Sequence, residues 1–177
     1  MKQILTYPNP ILKQQSFPVT NFGLETQAVI DKMLDIVGKS DYSVGLAAPQ
    51  IGKLQRIIAV SEIEGERTRL LPLINPEIVF FSKETHEDYE GCLSIPFKVG
   101  LVERSTKIRI RALDRNGNKI KLKAAGLLAR EIQHEVDHLN GLLFFDRTSA
   151  DKIYNYTIKD GKWVIQKQAL TAEGVTL

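Results

Sequence analysis

The sequence predicts an α+β fold: antiparallel sheets packed around a central metal-bearing helix, with an N-terminal helix and a C-terminal β-hairpin. Three observations predict it. Two stretches repeat apolar residues at helical spacing, while the runs between and after them alternate apolar and polar residues as half-buried strands do. The second helical stretch carries Gln133-His134-Glu135-Val136-Asp137-His138-Leu139-Asn140-Gly141, which holds two of the chain's 3 histidines. In the tail, Asp160-Gly161 falls between two β-rich runs, a hairpin signature.

Bulk composition bounds the rest. A chain of 177 residues, 43% hydrophobic and 25% charged, reads as a single domain over residues 1–177 with room for a real core. A net charge of +3 is too small to argue for a nucleic-acid partner. No run of about 20 apolar residues exists to span a membrane. Met1-Lys2-Gln3-Ile4-Leu5 runs into Pro8 and Pro10 without the apolar core of a signal peptide. The single cysteine, Cys92, excludes an internal disulfide and fits a reducing compartment, so the expected location is the cytoplasm.

Taken in order, residues 1–20 hold Pro8, Pro10 and Pro18 and read as an extended wrapping arm. Over residues 24–37, Val29, Met33 and Val37 recur at helical spacing, with Thr20 or Asn21 as the expected cap and Gly38 as the stop. Residues 41–52 are small and apolar; Gly45 and Gly52 point to special backbone angles or a close approach, and Pro49 forbids a regular central strand. Residues 56–63 and 67–74 form a hairpin turned at Glu64-Gly65. Asn75-Pro76 is expected to end that strand, and residues 78–83 to begin another. His86 lies in a polar run and reads as a surface residue. Around Cys92, Gly91 and Pro96 argue for an irregular turn.

Strands follow at 99–104, 107–113 and 119–123, with a turn at Asp114-Arg115-Asn116-Gly117. Ile108, Ile110 and Ala112 alternate with Lys107, Arg109 and Arg111, so the basic side reads as a solvated sheet face. The motif helix is placed at 127–139, with Leu128, Ile132, Val136 and Leu139 as its core stripe and Gly141 as its stop. The hairpin of residues 153–158 and 163–166 ends the fold, and the last residues read as loose.

The motif helix carries the chemistry. Residues i and i+4 of a helix share a face, so His134 and His138 can grip one metal ion while Glu135 reaches a water beside it. A catalytic tetrahedral site needs a third protein ligand and an open position. Downstream the chain offers only carboxylates, first Asp146 and Asp151; upstream it offers Cys92, whose thiolate suits zinc or iron.

Three stretches, Gly45-Leu46-Ala47-Ala48-Pro49-Gln50, Glu90-Gly91-Cys92-Leu93-Ser94 and Gln133-His134-Glu135-Val136-Asp137-His138, resemble the three signature motifs of the peptide deformylase family, in its order. Leu73-Ile74-Asn75-Pro76 and Arg109-Ile110-Arg111-Ala112-Leu113-Asp114 extend the resemblance over roughly residues 1–150. It implies that Cys92, His134 and His138 hold one divalent ion, Fe2+ in many members, with Zn2+, Ni2+ or Co2+ as alternatives. It implies Glu135 as general base and then acid, and Gln50 with the Leu93 backbone N–H as oxyanion donors. The implied substrate is an N-formylmethionyl peptide or nascent chain, cleaved to formate and a free amine. A monomer is expected, and the charge and apolar content lead us to expect neither a nucleic-acid nor a membrane partner. Val44 and Leu127 are expected to line the methionine pocket, and Gly45 to bond the substrate backbone. Glu90, paired with Arg104, is expected to support the metal ligands from behind.

Three departures from the family pattern stand out. Ser43 replaces the glycine that usually stands two residues before Gly45, where a positive φ would cost serine about 1 kcal/mol. Val99 replaces a usual arginine and is expected to weaken peptide contacts beyond methionine. The tail reads as a hairpin where many bacterial members end in a long helix.

Overall fold

Two antiparallel sheets meet at the motif helix in the computed structural model, which describes residues 4–40, 44–64, 67–159 and 162–166. The first sheet has the order β1-β2-β3-β6-β7, with β1 at Gly45–Ala47, β2 at Ile57–Glu64, β3 at Arg67–Phe81, β6 at Lys107–Leu113 and β7 at Lys119–Ala125. The second has the order β4-β5-β8-β9: Thr85–Cys92, Ile95–Ser105, Ile153–Lys159 and Lys162–Ile165. Helix α1 spans Leu24–Gly38 and the motif helix α2 spans Gly126–Leu139.

Strand β2 explains the layering. Its residues Ile57, Ile58, Ala59 and Val60 are all buried, which fits a strand covered on both faces rather than one. Ile57 and Ala59 join Val29, Ile30 and Met33 of α1 in one core; Ile58 and Val60 join Ala129, Ile132 and Leu139 of α2 in another. Alternation along one strand thus puts the two helices on opposite sides of the five-stranded sheet. Ile108, Ile110 and Ala112 face α2 and are buried, while Lys107, Arg109 and Arg111 on the other side are exposed, as the alternation requires.

Two local expectations are corrected. Asn75-Pro76 does not end the strand: β3 continues through it with a register shift between Ile74 and Glu77, and Asn75 takes φ 51°. Asparagine tolerates the left-handed region, and here its amide exchanges two hydrogen bonds of 2.8 Å with the Val19 backbone, so the break becomes a bulge. At the start of α1 the residue flanking the helix is Gly23, and Asn21 acts from two residues earlier by accepting from the Gly23 N–H at 2.8 Å. The hairpins of β2–β3 and β8–β9 form as expected, and β8 pairs with β5. Ser43 and the last residues of the chain lie outside the described residues.

The N-terminal arm wraps the body and ties the three motif stretches together. The N–H groups of Leu5, Tyr7 and Ser16 donate to the carbonyls of Gln50, Ser94 and Leu139 at 2.7, 2.8 and 2.8 Å. The end of α2 closes at Gly141, where φ is 72° and an added Cβ would lie 2.6 Å from the Lys13 carbonyl oxygen; only glycine fits between helix and arm.

Candidate metal centre

Helix α2 is buried on the side that carries the histidines. His134 is 6% exposed, Glu135 3% and His138 1%, so the flank beside the apolar stripe is as dry as the stripe itself. The β4–β5 hairpin brings Cys92 to this flank. Cys92 ends β4 after a register shift at Gly91, and that irregularity turns the sulfur toward the helix instead of along the ladder. Its Sγ lies 3.2 Å from His138 Nε2. The donor atoms of Cys92, His134 and His138 all lie within 4.8 Å of one another, so this cluster is able to hold a metal ion. The donor set of one thiolate and two imidazoles suits zinc or iron. Two buried atoms without hydrogen-bond partners, His138 Nδ1 and Glu135 Oε2, belong to the same cluster.

Gln50 approaches from a 3-10 turn, Ala48–Ile51, which Gly52 closes at φ 79°. The Ala47 N–H donates to Gln50 Oε1 at 2.7 Å, which fixes the amide oxygen on that side. The Nε2 group is therefore turned toward Cys92 Sγ at 3.5 Å and Ser94 Oγ at 3.2 Å. The Ser94 N–H also reaches the sulfur, at 3.4 Å. Leu93, between them, is 38% exposed at the hairpin tip. Gly45 lies directly on the catalytic-type carboxylate: a Cβ there would sit 2.5 Å from Glu135 Oε1. Val44 is half-buried one residue before it, and Leu127 is exposed at the first turn of α2.

Behind the histidines lies a network of charges. Glu90, 5% exposed, receives Arg104 through Nε at 2.9 Å and Nη2 at 3.0 Å, Arg130 through Nη1 at 2.8 Å, and His134 Nδ1 at 2.9 Å. The bond to Glu90 leaves the Nε2 lone pair of a neutral His134 for the cluster, the arrangement by which a carboxylate orients an imidazole ligand. Arg104 Nη1 continues to Asp137 at 2.6 Å, and Arg147 pairs with the same carboxylate. Arg130, Asp137, Arg147 and Ser94 escaped the sequence reading. Arg130 had a signal, its position one turn before His134, but a buried arginine cannot be told from a solvated one by spacing. Val99 is wholly buried in β5 opposite Gly91 and Tyr154, so its side chain packs within the fold.

The electrostatics follow from burial. Desolvation pushes the Glu135 carboxyl up to about 7, against the pull of His134 and His138. Burial, with His134 beside it, takes His138 down to about 4, which keeps it neutral and able to ligate. His134 is moved the other way: burial lowers it, but its bonds to Cys92 and Glu90 hold it above the ordinary histidine value. For Glu90, burial raises the carboxyl, and the bonds from His134 and Arg104 outweigh that and hold it well below the usual range.

A helix that holds paired imidazoles against a thiolate from a neighbouring hairpin, with a dry carboxylate between them, defines a class: metal-binding hydrolases built on one helix. The family within that class follows from comparison with known proteins. The family model for polypeptide deformylase matches residues 1–153. A peptide deformylase of Halothermothrix orenii is 43% identical over 146 residues, covering 82% of this chain and 92% of its own length. Peptide deformylases of Legionella pneumophila and Thermotoga maritima, both known as crystal structures, superpose with TM-scores of 0.76 at 40% and 37% identity. Each covers 82% of this chain, and the chain covers 85% and 96% of theirs. The chain belongs to the peptide deformylase family.

Proposed function

We propose how this chain's residues carry out the family's reaction, hydrolysis of the N-formyl group from N-formylmethionyl nascent peptides with release of formate. The observation that carries the reading is the convergence of three metal-competent donors within 4.8 Å, with the Gln50 amide on the same sulfur and a buried, unpartnered Glu135 oxygen beside them. Cys92, His134 and His138 hold one divalent ion, Fe2+ natively, with Zn2+, Ni2+ or Co2+ able to replace it. When bound, such an ion acts as a Lewis acid and brings the pKa of its water to about 7.

Glu135 takes the proton of the attacking water through its open oxygen and returns it to the leaving nitrogen. Its raised pKa suits both transfers near neutral pH. Gln50 Nε2 and the Leu93 backbone N–H donate to the developing oxyanion, and a donor of this kind contributes about 3 to 4 kcal/mol. Val44 and Leu127 line the pocket for the methionine side chain. The Gly45 backbone bonds the peptide as an added strand, and its missing side chain leaves room for Glu135. Glu90 and Arg104 act through His134, holding its ring in the ligating orientation. The protein works as a single-domain monomer in the cytoplasm; among the described residues no helix is long and apolar enough to cross a membrane.

Formate release from a formyl-Met-Ala-type peptide, measured with metal content on one iron- or nickel-loaded sample, tests the scheme. Turnover that requires both Glu135 and bound metal supports it. Release no faster than that of Glu135→Gln, or full metal content in Cys92→Ala, would sink it.

A further inference from the structure

The net charge of +3 conceals a concentrated patch. On the α1 side of the five-stranded sheet, beyond the edge of α1, strands β6 and β7 present Lys107, Arg109, Arg111, Lys119, Lys121 and Lys123, all exposed. The register sets Arg109 opposite Lys123 and Arg111 opposite Lys121. Like charges directly opposite across a ladder repel and are unfavourable, so this face costs the fold stability. Carboxylates offset little of it: Lys107 reaches Glu84 at 4.0 Å, and Glu77 stands opposite Arg111. Among the described residues, Arg109, Lys119, Lys121 and Lys123 have no ion-pair partner.

Two apolar features accompany the cations. The Arg109 guanidinium lies over the exposed Phe80 ring, 4.8 Å from its centre, and holds a flat stacked surface open to solvent. At the other end of the same strands a hollow of about 480 Å³ is lined by Ala112, Leu113 and Ile120 and by Asn75, Glu77, Arg111, Lys119 and Lys121. A bland purpose for lysines on β7 is to keep an edge strand from pairing with other chains. That purpose does not extend to Arg109 and Arg111, which sit on the interior strand β6, nor to an aromatic ring stacked among them.

The geometry points to this face as a binding surface for RNA with unpaired bases. Its cations neutralise backbone phosphates, while the Phe80–Arg109 stack and the apolar hollow accept base faces. A duplex, whose bases are already stacked, fits only the charges. A membrane or an acidic protein would use the charges but not the flat stack. The surface lies across the sheet from α2, so an RNA held there leaves the metal centre open.

The test uses the metal-loaded full chain and fluorescence anisotropy with a labelled single-stranded RNA of about 12 nucleotides, beside duplex RNA, a polyglutamate peptide and vesicles containing phosphatidylglycerol. One variant combines Arg109→Gln, Lys119→Gln, Lys121→Gln and Lys123→Gln. Its charge-matched control combines Lys32→Gln, Lys39→Gln, Lys53→Gln and Lys159→Gln on other surfaces. We expect single-stranded RNA to bind tightest, with the patch variant weakening it at least about tenfold and flattening the slope of log affinity against log salt by about three. The control should leave affinity within about twofold, and both variants should keep wild-type formate release from a short formyl peptide. Should four substitutions compromise folding, Lys121→Gln with Lys123→Gln carries the test, and relief of the cross-strand repulsion should raise its melting temperature. Equal losses in patch and control variants, equal binding of polyglutamate or vesicles, or aggregation of the patch variant with RNA affinity intact would each overturn the assignment.

Discussion

Two buried polar clusters share helix α2, and they are completed to different degrees. On one flank, Glu90 and Asp137 meet Arg104, Arg130 and Arg147, and every charge has an opposite partner at hydrogen-bond distance. On the other flank, His134, Glu135 and His138 are equally dry and Cys92 is half-buried, yet Glu135 Oε2 and His138 Nδ1 have no partner. They are the only ionisable groups with such an atom among the described residues. A buried polar group left unpaired costs about 1 to 3 kcal/mol, so a fold tolerates it only where something offsets the cost. The difference teaches how the labour is split. The completed cluster holds geometry, and the incomplete one keeps its Cys92, His134 and His138 donor atoms for a metal and the open Glu135 oxygen for a water and a substrate. His134 belongs to both, with Nδ1 on Glu90 and its other nitrogen toward the donors.

The sharpest way to break the incomplete cluster is Glu135→Gln. The change keeps size and removes the base, so formate release should fall by about three orders of magnitude or more while bound metal stays near one per chain. Metal analysis beside the kinetic assay checks it, and lost metal would mean that Glu135 shapes the donor set instead. The completed cluster should break differently. Arg104→Leu leaves Glu90 and Asp137 buried with their shared cation gone, and removing one partner of such a pair destabilises by about 3 to 5 kcal/mol. Chemical denaturation should show that loss. Metal affinity, read by chelator competition, should weaken about 10- to 100-fold because His134 loses its fixed support.

How legible each cluster was in the sequence follows the same division. The donors were legible, because ligand chemistry demands particular side chains at particular spacings. His134, Glu135 and His138 share a helix, and Cys92 is the only thiol. The role of Gln50 was found through resemblance alone, since no spacing rule links it to α2, while Gly45 was legible as a site of close approach but not as a neighbour of Glu135. The supporting arginines were mostly missed. Arg130 and Arg147 look like any solvated cation, and only the tertiary fold decides that one is 7% exposed. Strand alternation predicted the buried and solvated faces of β6 correctly. Asn75-Pro76 misled, because a side-chain bond to Val19 rescued a strand that local propensity would have ended.

Glu135 and the completed cluster should also respond to pH with opposite signs. In the metal-free protein, burial raises the Glu135 carboxyl from 4.5 to about 7. An acid whose folded pKa is raised supports folding fully below its unfolded value, and that support is lost as pH climbs through the folded value. The cost at pH 8 is about 3 kcal/mol by the linkage relation. Metal-free Glu135→Gln should therefore be the more stable protein at pH 8, with the gap closing toward pH 5. Glu90 and Asp137 are held below their ordinary values of 4.5 and 3.8, so their stabilisation is present above those values and is lost as the solution is acidified below them. Urea titrations at a series of pH values separate the two. A Glu135→Gln curve parallel to wild type would show that the carboxylate is not the strained group.

The smallest effect belongs to the rim of the completed cluster. Arg147 bonds Asp137 alongside Arg104, but its side chain is 45% exposed, so water already screens the pair. Asp137 keeps its 2.6 Å bond to the buried Arg104 when Arg147 is removed. Arg147→Gln should therefore cost no more than about 1 kcal/mol in denaturation, and less as salt rises. Metal affinity and formate release should stay within about twofold of wild type, because the path from Arg147 to His134 runs through Asp137, Arg104 and Glu90, which remain paired with one another. A larger loss of metal would mean that the anchoring of Asp137, and not the Arg104–Glu90 pair, sets the orientation of His134.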